Sequence, residues 1–504
     1  MTLRQFSKWL FSFTLAVLTL SVSCNSGDIP QGPPSKEEGI DIISELQQAI
    51  AAGKVVSNVK PIEDPSVDGC RISFTDGTYI DIISGEDPQS IVTSVVMDRE
   101  RGAVVVTLAS GDIFDFRLNL TFPSELARVY ITTPNQAEIT SKEVWLEGCN
   151  IRIIDTKGKE NLNVTTSVRG RGNSTWKYPK KPYAIKLDSK AEVLGMPKHK
   201  RWVLLANWLD RTLIRNDVAF EIARRMMAWA PRGEFVELYL NGAHLGNYYL
   251  CEQIKIDKNR VNIDELKDDS DFTNSSVISG GYLLEFDTYG PKDEINYFYT
   301  DYKKFPVTIK EPDEEVITSW THPGYLYVQG YVNEVEKALS EGASWDRVCE
   351  KIDIDSFIDF WFVYELAANR EIKHPKSAYM HKKRDGKLYA GPVWDFDYAT
   401  FRHISMELTN AEHIWYDYLF KYPEFKAAIK VRWAKHKAML DEIDGYIVRQ
   451  SELIRKSNDV NISMWPIDKS VNEDYQMNFD EAIANMRDAY SVRLTTLDAY
   501  ISKF

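Results

Sequence analysis

The sequence predicts an α+β protein of at least two domains, and three observations lead there. Between residues 54 and 120, apolar residues alternate with period two around turn dipeptides, which is a hairpin signature. From 125 to about 310, strand-like runs mix with one amphipathic helix, and beyond 311 helical spacing dominates. The length, 504 residues, exceeds what one ordinary core organises.

The chain opens on an export signal. Arg4 and Lys8 precede an apolar run over 9–20, too short to span a bilayer as a mature helix. Ser21-Val22-Ser23-Cys24 follows, so residues 1–24 read as a signal with lipid on Cys24, anchoring an exported protein at the membrane of the cell envelope. Residues 25–53 read as a tether and a short helix. Ser35-x-x-Glu38 has the capping-box pattern, and Ile40, Ile43, Leu46 and Ile50 recur at helical spacing before Gly53. Cys70, Cys149, Cys251 and Cys349 are widely spaced, which excludes a C-x-x-C zinc site and a dense disulfide framework.

Two similar units make up 54–120. In the first, Ile72 and Phe74 alternate, Asp76-Gly77 turns, and Ile80 and Ile82 alternate again. In the second, Val104, Val106 and Leu108 lead to Ser110-Gly111 and on to Phe114, Phe116 and Leu118. This module resembles the small N-terminal hairpin modules of exported Bacteroidetes lipoproteins. It carries no histidine cluster and no glycine-rich phosphate loop.

Composition excludes some classes. A net charge of −13 opposes general nucleic-acid binding, because phosphates are repelled. Eight scattered histidines and the absence of G-x-S-x-G and H-E-x-x-H argue against a hydrolase.

What remains fits the needs of phosphoryl transfer: a basic cradle for phosphates, carboxylates for a metal, and a carboxylate near the acceptor. Arg169-Gly170-Arg171-Gly172-Asn173-Ser174 places two guanidiniums among glycines. A strand follows, with Tyr183, Ile185 and Leu187 on one face and Ala184 and Lys186 on the other. Asp210 suits the cap of a helix over 212–227, and Arg215 and Asn216 lie one turn inside, to hold loops or reach a ligand. Glu221 is a candidate partner for the strand lysine. Glu252, on a hairpin strand beyond the Asn241-Gly242 turn, needs a partner, which Lys186 or Arg171 would supply. Residues 361–397 read as helix, loop, hairpin with an Asp385-Gly386 turn, then Asp395-Phe396-Asp397. That order brings Glu371 and the two aspartates to one end of one hairpin, where paired aspartates suit a hard cation.

Five blocks in order, RGRGNSTWKYPKKPYAIKL (169–187), VLLANWLDRTLIRN (203–216), LYLNGAHLGNYYLCEQI (238–254), GGYLLEFD (280–287) and GPVWDFDYATF (391–401), resemble those of the CotH kinase family. The resemblance implies a divergent protein-kinase-like domain over 125–430, with 431–504 as a helical C-terminal extension. It implies an atypical kinase that uses ATP with Mg²⁺ or Mn²⁺ and phosphorylates Ser or Thr of protein substrates. By position, Asp395 and Asp397 become the metal acids, and Arg169, Arg171, Asn173, Lys186, Arg215 and Glu252 lie in the nucleotide-side blocks. Lys180 and Lys181 are alternatives to Lys186. Members commonly carry Asn-x-Asp before the hairpin, but this chain has Asn369-Arg370-Glu371, so Glu371 takes the catalytic position. The competing expectation is a non-catalytic surface module that binds a protein partner or glycan.

Overall fold

The computed structural model describes residues 56–62, 69–74, 79–83, 92–98, 103–108, 113–117, 124–290, 294–466 and 471–504. The signal, Cys24 and the segment 25–53 lie outside the described residues. The chain divides into two units, 1–125 and 126–504.

In the first unit, β1 (Val56–Pro61), β2 (Gly69–Phe74) and β3 (Tyr79–Ile83) form one antiparallel sheet. A second consists of β4 (Val92–Asp98), β5 (Ala103–Leu108) and β6 (Ile113–Arg117). The register sets Ile72 opposite Ile80 and Arg71 opposite Asp81, whose side chains pair at 2.6 Å.

The second unit is mixed α+β. Its first part is a closed barrel of β7 (Ala127–Thr132), β8 (Leu146–Ile154), β9 (Glu160–Gly170), β10 (Tyr183–Val193), β11 (Met196–Leu205), β12 (Gly233–Leu240) and β13 (Ala243–Glu252). β12 lies parallel to β7, and the other neighbours are antiparallel. The Asn241-Gly242 turn has positive φ at both residues, the hairpin geometry for which this dipeptide is suited. Strand alternation divides the side chains. Tyr183, Ile185, Leu187, Trp202, Leu204, Tyr248 and Leu250 fill the barrel. Val203, Leu205, Tyr249 and Cys251 point outward and join the main core.

That core contains α1 (Arg215–Met226), the single turn α2 (Ser275–Ile278) close by, and a sheet ordered β15-β16-β14-β17-β18. These strands are β14 (Tyr282–Phe286), β15 (Tyr297–Tyr299), β16 (Pro306–Glu311), β17 (Ala378–Lys382) and β18 (Leu388–Ala390). Around it lie α3 (Pro323–Ser340), α4 (Trp345–Lys351), α5 (Ile354–Leu366), α6 (Tyr416–Leu419), α7 (Pro423–Leu440), α8 (Ile443–Met464) and α9 (Phe479–Ile501). Helix α5 is buried from Phe357 to Leu366 and lies at the centre of this core, with Asp359 on one side held by Arg432 of α7. Its one buried acid near the end, Glu365, is held by Arg493 of α9 and by Thr409 and Asn410.

No break appears at residue 430, because α7, α8 and α9 contribute to the same core as α5 and the sheet. No helix among the described residues is long and apolar enough to cross a membrane. Cys149 and Cys251 are buried free thiols, and Cys349 is partly buried.

Candidate functional site

The site forms where the β17–β18 hairpin begins and ends. Chain leaving α5 turns through Ala368, at φ 52°, and delivers Asn369 and a 3₁₀ turn over Glu371–Lys373. Chain leaving β18 delivers Asp395, at φ 72°. Asn369 is fully buried and joins the two arms. Its Oδ1 accepts the Glu371 N–H at 2.7 Å, and its Nδ2 donates to the Asp395 carbonyl at 3.1 Å and to Thr400 Oγ1 at 3.0 Å. An amide supplies both an acceptor and donors, and all are used here.

The loop after Asp395 is fastened from beneath. Asn216 Oδ1 accepts the Phe396 N–H at 2.8 Å, and Arg215 Nε donates to the Thr400 carbonyl at 3.0 Å. Asn472 Nδ2 donates to the Asp397 carbonyl at 3.0 Å, while its Oδ1 accepts the Thr400 N–H at 2.9 Å. Arg215 is itself neutralised by Asp210 and by Asp474, the latter at 3.0 Å. Asp210 also accepts the backbone N–H groups of Thr212 and Arg215, both at 2.9 Å, so it fastens the turn ahead of α1; the helix begins at Arg215 rather than 212, and its N-cap is Ile214 rather than Asp210.

Above this support the side chains of Asp395 and Asp397 hydrogen bond to each other. Burial pushes the Asp395 carboxyl up, and the Arg171 guanidinium opposes it. Asp397 is pushed far up, first by burial and then by Asp395 and Asp210. Two adjoining acids with raised proton affinity are a place for a proton or a cation. Glu371 is also raised by burial, opposed by Lys376, whose Nζ lies 3.6 Å away. That ammonium sits 5.0 Å above the Tyr289 ring. Asp287, at the end of β14, is buried and pushed up to about 6, by burial and then by Glu285. Glu285 pairs with Lys310 at 2.9 Å and hydrogen bonds to Tyr379.

The residues expected from sequence divide clearly. Glu371, Asp395 and Asp397 come together, with Arg171 facing Asp395 and lying 5.2 Å over the Trp394 ring. Arg169 is two residues away, stacked 4.5 Å from Trp145 and donating to the Glu143 carbonyl at 2.9 Å. Asn173 is exposed and accepts from Lys142 Nζ at 3.2 Å. Lys186 is exposed on the outer barrel face, opposite Arg201.

Two acids expected to pair with these cations find other partners. Glu221 binds Arg224 and Arg225, both at 2.8 Å, rather than Lys186. Glu252 is fully buried and binds Arg232 at 2.8 Å, with Arg260 at 3.6 Å, rather than Lys186 or Arg171. Arg215 has no exposed surface and is spent beneath the loop, so it positions Asp397 and touches no ligand. The alternative lysine, Lys180, is also buried. Its Nζ donates to the carbonyls of Ala206 and Asn247 and to Asn461 Oδ1 of α8.

Several contributors carried no usable signal in the sequence. Asn472 and Asp474 follow α8 in an unpatterned stretch, and Lys376 is one of several basic residues after Glu371. Asp287 was visible only as the end of a strand, in the block GGYLLEFD.

Two aspartate side chains suit a hard cation. Among the described residues no three His, Cys, Asp or Glu side chains gather closely enough to hold a metal by themselves. A cation held by Asp395 and Asp397 would therefore take the rest of its shell from phosphate oxygens and water.

The family model described as CotH kinase protein matches residues 168–497, well over half of the chain. No curated protein matches.

Proposed function

Because the chain belongs to the CotH kinase protein family, we propose that it is an atypical kinase that moves a phosphoryl group from ATP to Ser or Thr hydroxyls of a protein substrate. The observation that carries this reading is the joining of Glu371 and Asp395 by Asn369 at one end of a hairpin, beside Arg171. An acid before a hairpin and another after it is the plan of a protein-kinase-like catalytic centre, which here would be a divergent one.

In this reading Glu371 accepts the acceptor hydroxyl's proton, and Lys376 steadies its carboxylate at 3.6 Å. Arg171 binds phosphate oxygens in its guanidinium fork. Asp395 and Asp397 would hold Mg²⁺ or Mn²⁺, which supplies charge neutralisation between the phosphates when bound. The protein would work outside the cytoplasm, anchored by lipid on Cys24.

Transfer of labelled phosphate from ATP to a Ser/Thr protein, with Mg²⁺ or Mn²⁺, tests the reading. Label that requires the metal and disappears in Asp395→Ala supports it. No transfer, with a melting temperature indifferent to nucleotide and metal, sinks it and leaves a surface-binding module. Loss of lipid labelling in Cys24→Ala tests the anchor separately.

A further inference from the structure

The outer face of the barrel beside Asp395 carries four cations in register. The β9 register puts Arg169 on the same side as Ser167, and Arg171, one residue past the strand end, extends the ladder by donating its N–H to the Pro182 carbonyl and lies 5.2 Å over the Trp394 ring. Across the sheet Ala184 faces Arg169, and Lys186 sits between Ser167 and Arg201. Directly opposed residues of antiparallel strands share a face, so Arg171, Arg169, Lys186 and Arg201 line one surface. Two residues along a strand advance about 6.6 Å, so the cations occupy three successive levels: Arg171, which faces Asp395, then Arg169, then Lys186 and Arg201 side by side.

Among the described residues none of the four forms an ion pair with a carboxylate within 4.0 Å. Glu143 acts on Arg169, and Glu311 and Asp313 act on Arg201, only from farther away. Arg169 and Arg201 instead occupy the faces of one indole, 4.5 Å and 4.9 Å from the Trp145 ring. The indole holds two like charges near each other and neutralises neither. By contrast Lys310, Lys376, Arg232 and Arg260 are each matched to a carboxylate. A single phosphate needs one or two such groups, whereas four cations over three successive levels fit a chain of linked phosphates.

We infer that Arg171, Arg169, Arg201 and Lys186 form a track for a phosphoanhydride chain, and that the phosphate donor is recognised through this chain rather than through a base. The inference rests on the phosphotransfer reading for the chain's direction, with its reacting end at Asp395. A nucleoside triphosphate and an inorganic polyphosphate offer the same chemistry here.

The test is equilibrium binding of ATP, tripolyphosphate, inorganic phosphate and adenosine to the whole protein, with and without Mg²⁺. Variants Arg201→Ala and Lys186→Ala are remote from Asp395, and circular dichroism and melting confirm their folding. ATP and tripolyphosphate are expected to bind at least about tenfold more tightly than phosphate or adenosine, and each variant to weaken both about tenfold. Equal binding of tripolyphosphate and phosphate, or triphosphate binding untouched in both folded variants, overturns the inference. So does ATP binding without tripolyphosphate binding. Tripolyphosphate binding that survives while no transfer occurs with either donor would leave the track standing and remove the kinase reading. Transfer from only one donor identifies which source the site uses.

Discussion

Asn369 Nδ2 donates to the Asp395 carbonyl at 3.1 Å, so one buried amide fixes the distance between the two halves of the site. Its Oδ1 holds the Glu371 backbone at the same time, at 2.7 Å. Asn369→Ala is therefore expected to lower kcat about a hundredfold and cost about 1–3 kcal/mol of stability, because buried partners lose their bonds. Kinetics and urea unfolding on the same preparation check this. Unchanged kcat with lowered stability would make Asn369 a purely structural residue.

Glu371 bears the proposed role of proton acceptor. Glu371→Gln keeps its shape and removes its basicity, so kcat should fall about 10²- to 10⁴-fold while the KM for ATP changes little. Steady-state kinetics decide. A large KM effect with kcat retained would move the role elsewhere, with Asp287, a buried carboxyl that acts on Glu371, as an alternative.

Asp287 gives a pH signature. Burial and Glu285 raise its carboxyl from 3.8 to about 6, so the folded state holds this proton more tightly than the unfolded chain. Its contribution to stability therefore falls as pH rises from about 4 to about 6 and stays low above that. Asp287→Asn should match the wild type near pH 4 and exceed it above pH 6, by up to about 3 kcal/mol in metal-free buffer. Urea titrations across pH measure the difference. An advantage that appears only on acidification would contradict the sign.

Lys180 makes a structural prediction. Its Nζ serves the carbonyls of Ala206 and Asn247 and the side chain of Asn461, all in the interior. Lys180→Met keeps the length of the side chain and strands three acceptors, so a loss of about 2–4 kcal/mol is expected. Thermal and urea denaturation check it. Binding of tripolyphosphate, normalised to folded protein, should not change.

The sequence was most informative where local chemistry decides. Asn241-Gly242 and Asp385-Gly386 place turns because few residues accept positive φ, and both stand between paired strands. The alternation of Tyr183, Ile185 and Leu187 placed Lys186 on the correct face for the same reason. Partner choice was less legible. Glu252 needed a cation, but nothing local indicates that Arg232 and Arg260 reach it before Lys186. Arg215 illustrates the limit: its place beside an apolar stripe left loop-holding and ligand contact both open, and only its burial against Asp210 and Asp474 decides for the loop. Barrel formation needs β12 beside β7, a parallel pairing distant in the chain that left no mark in any single segment.

Asn472 reaches back across 75 residues to the Asp397 carbonyl, and Arg493 reaches back 128 to Glu365. During synthesis, then, the acids at 395 and 397 emerge long before the groups that fix them. A ribosome-bound chain has these acids but lacks the bonds that arrange them until α9 is released and docks. The order of the polypeptide thereby sets the order in which the 395–397 loop is assembled.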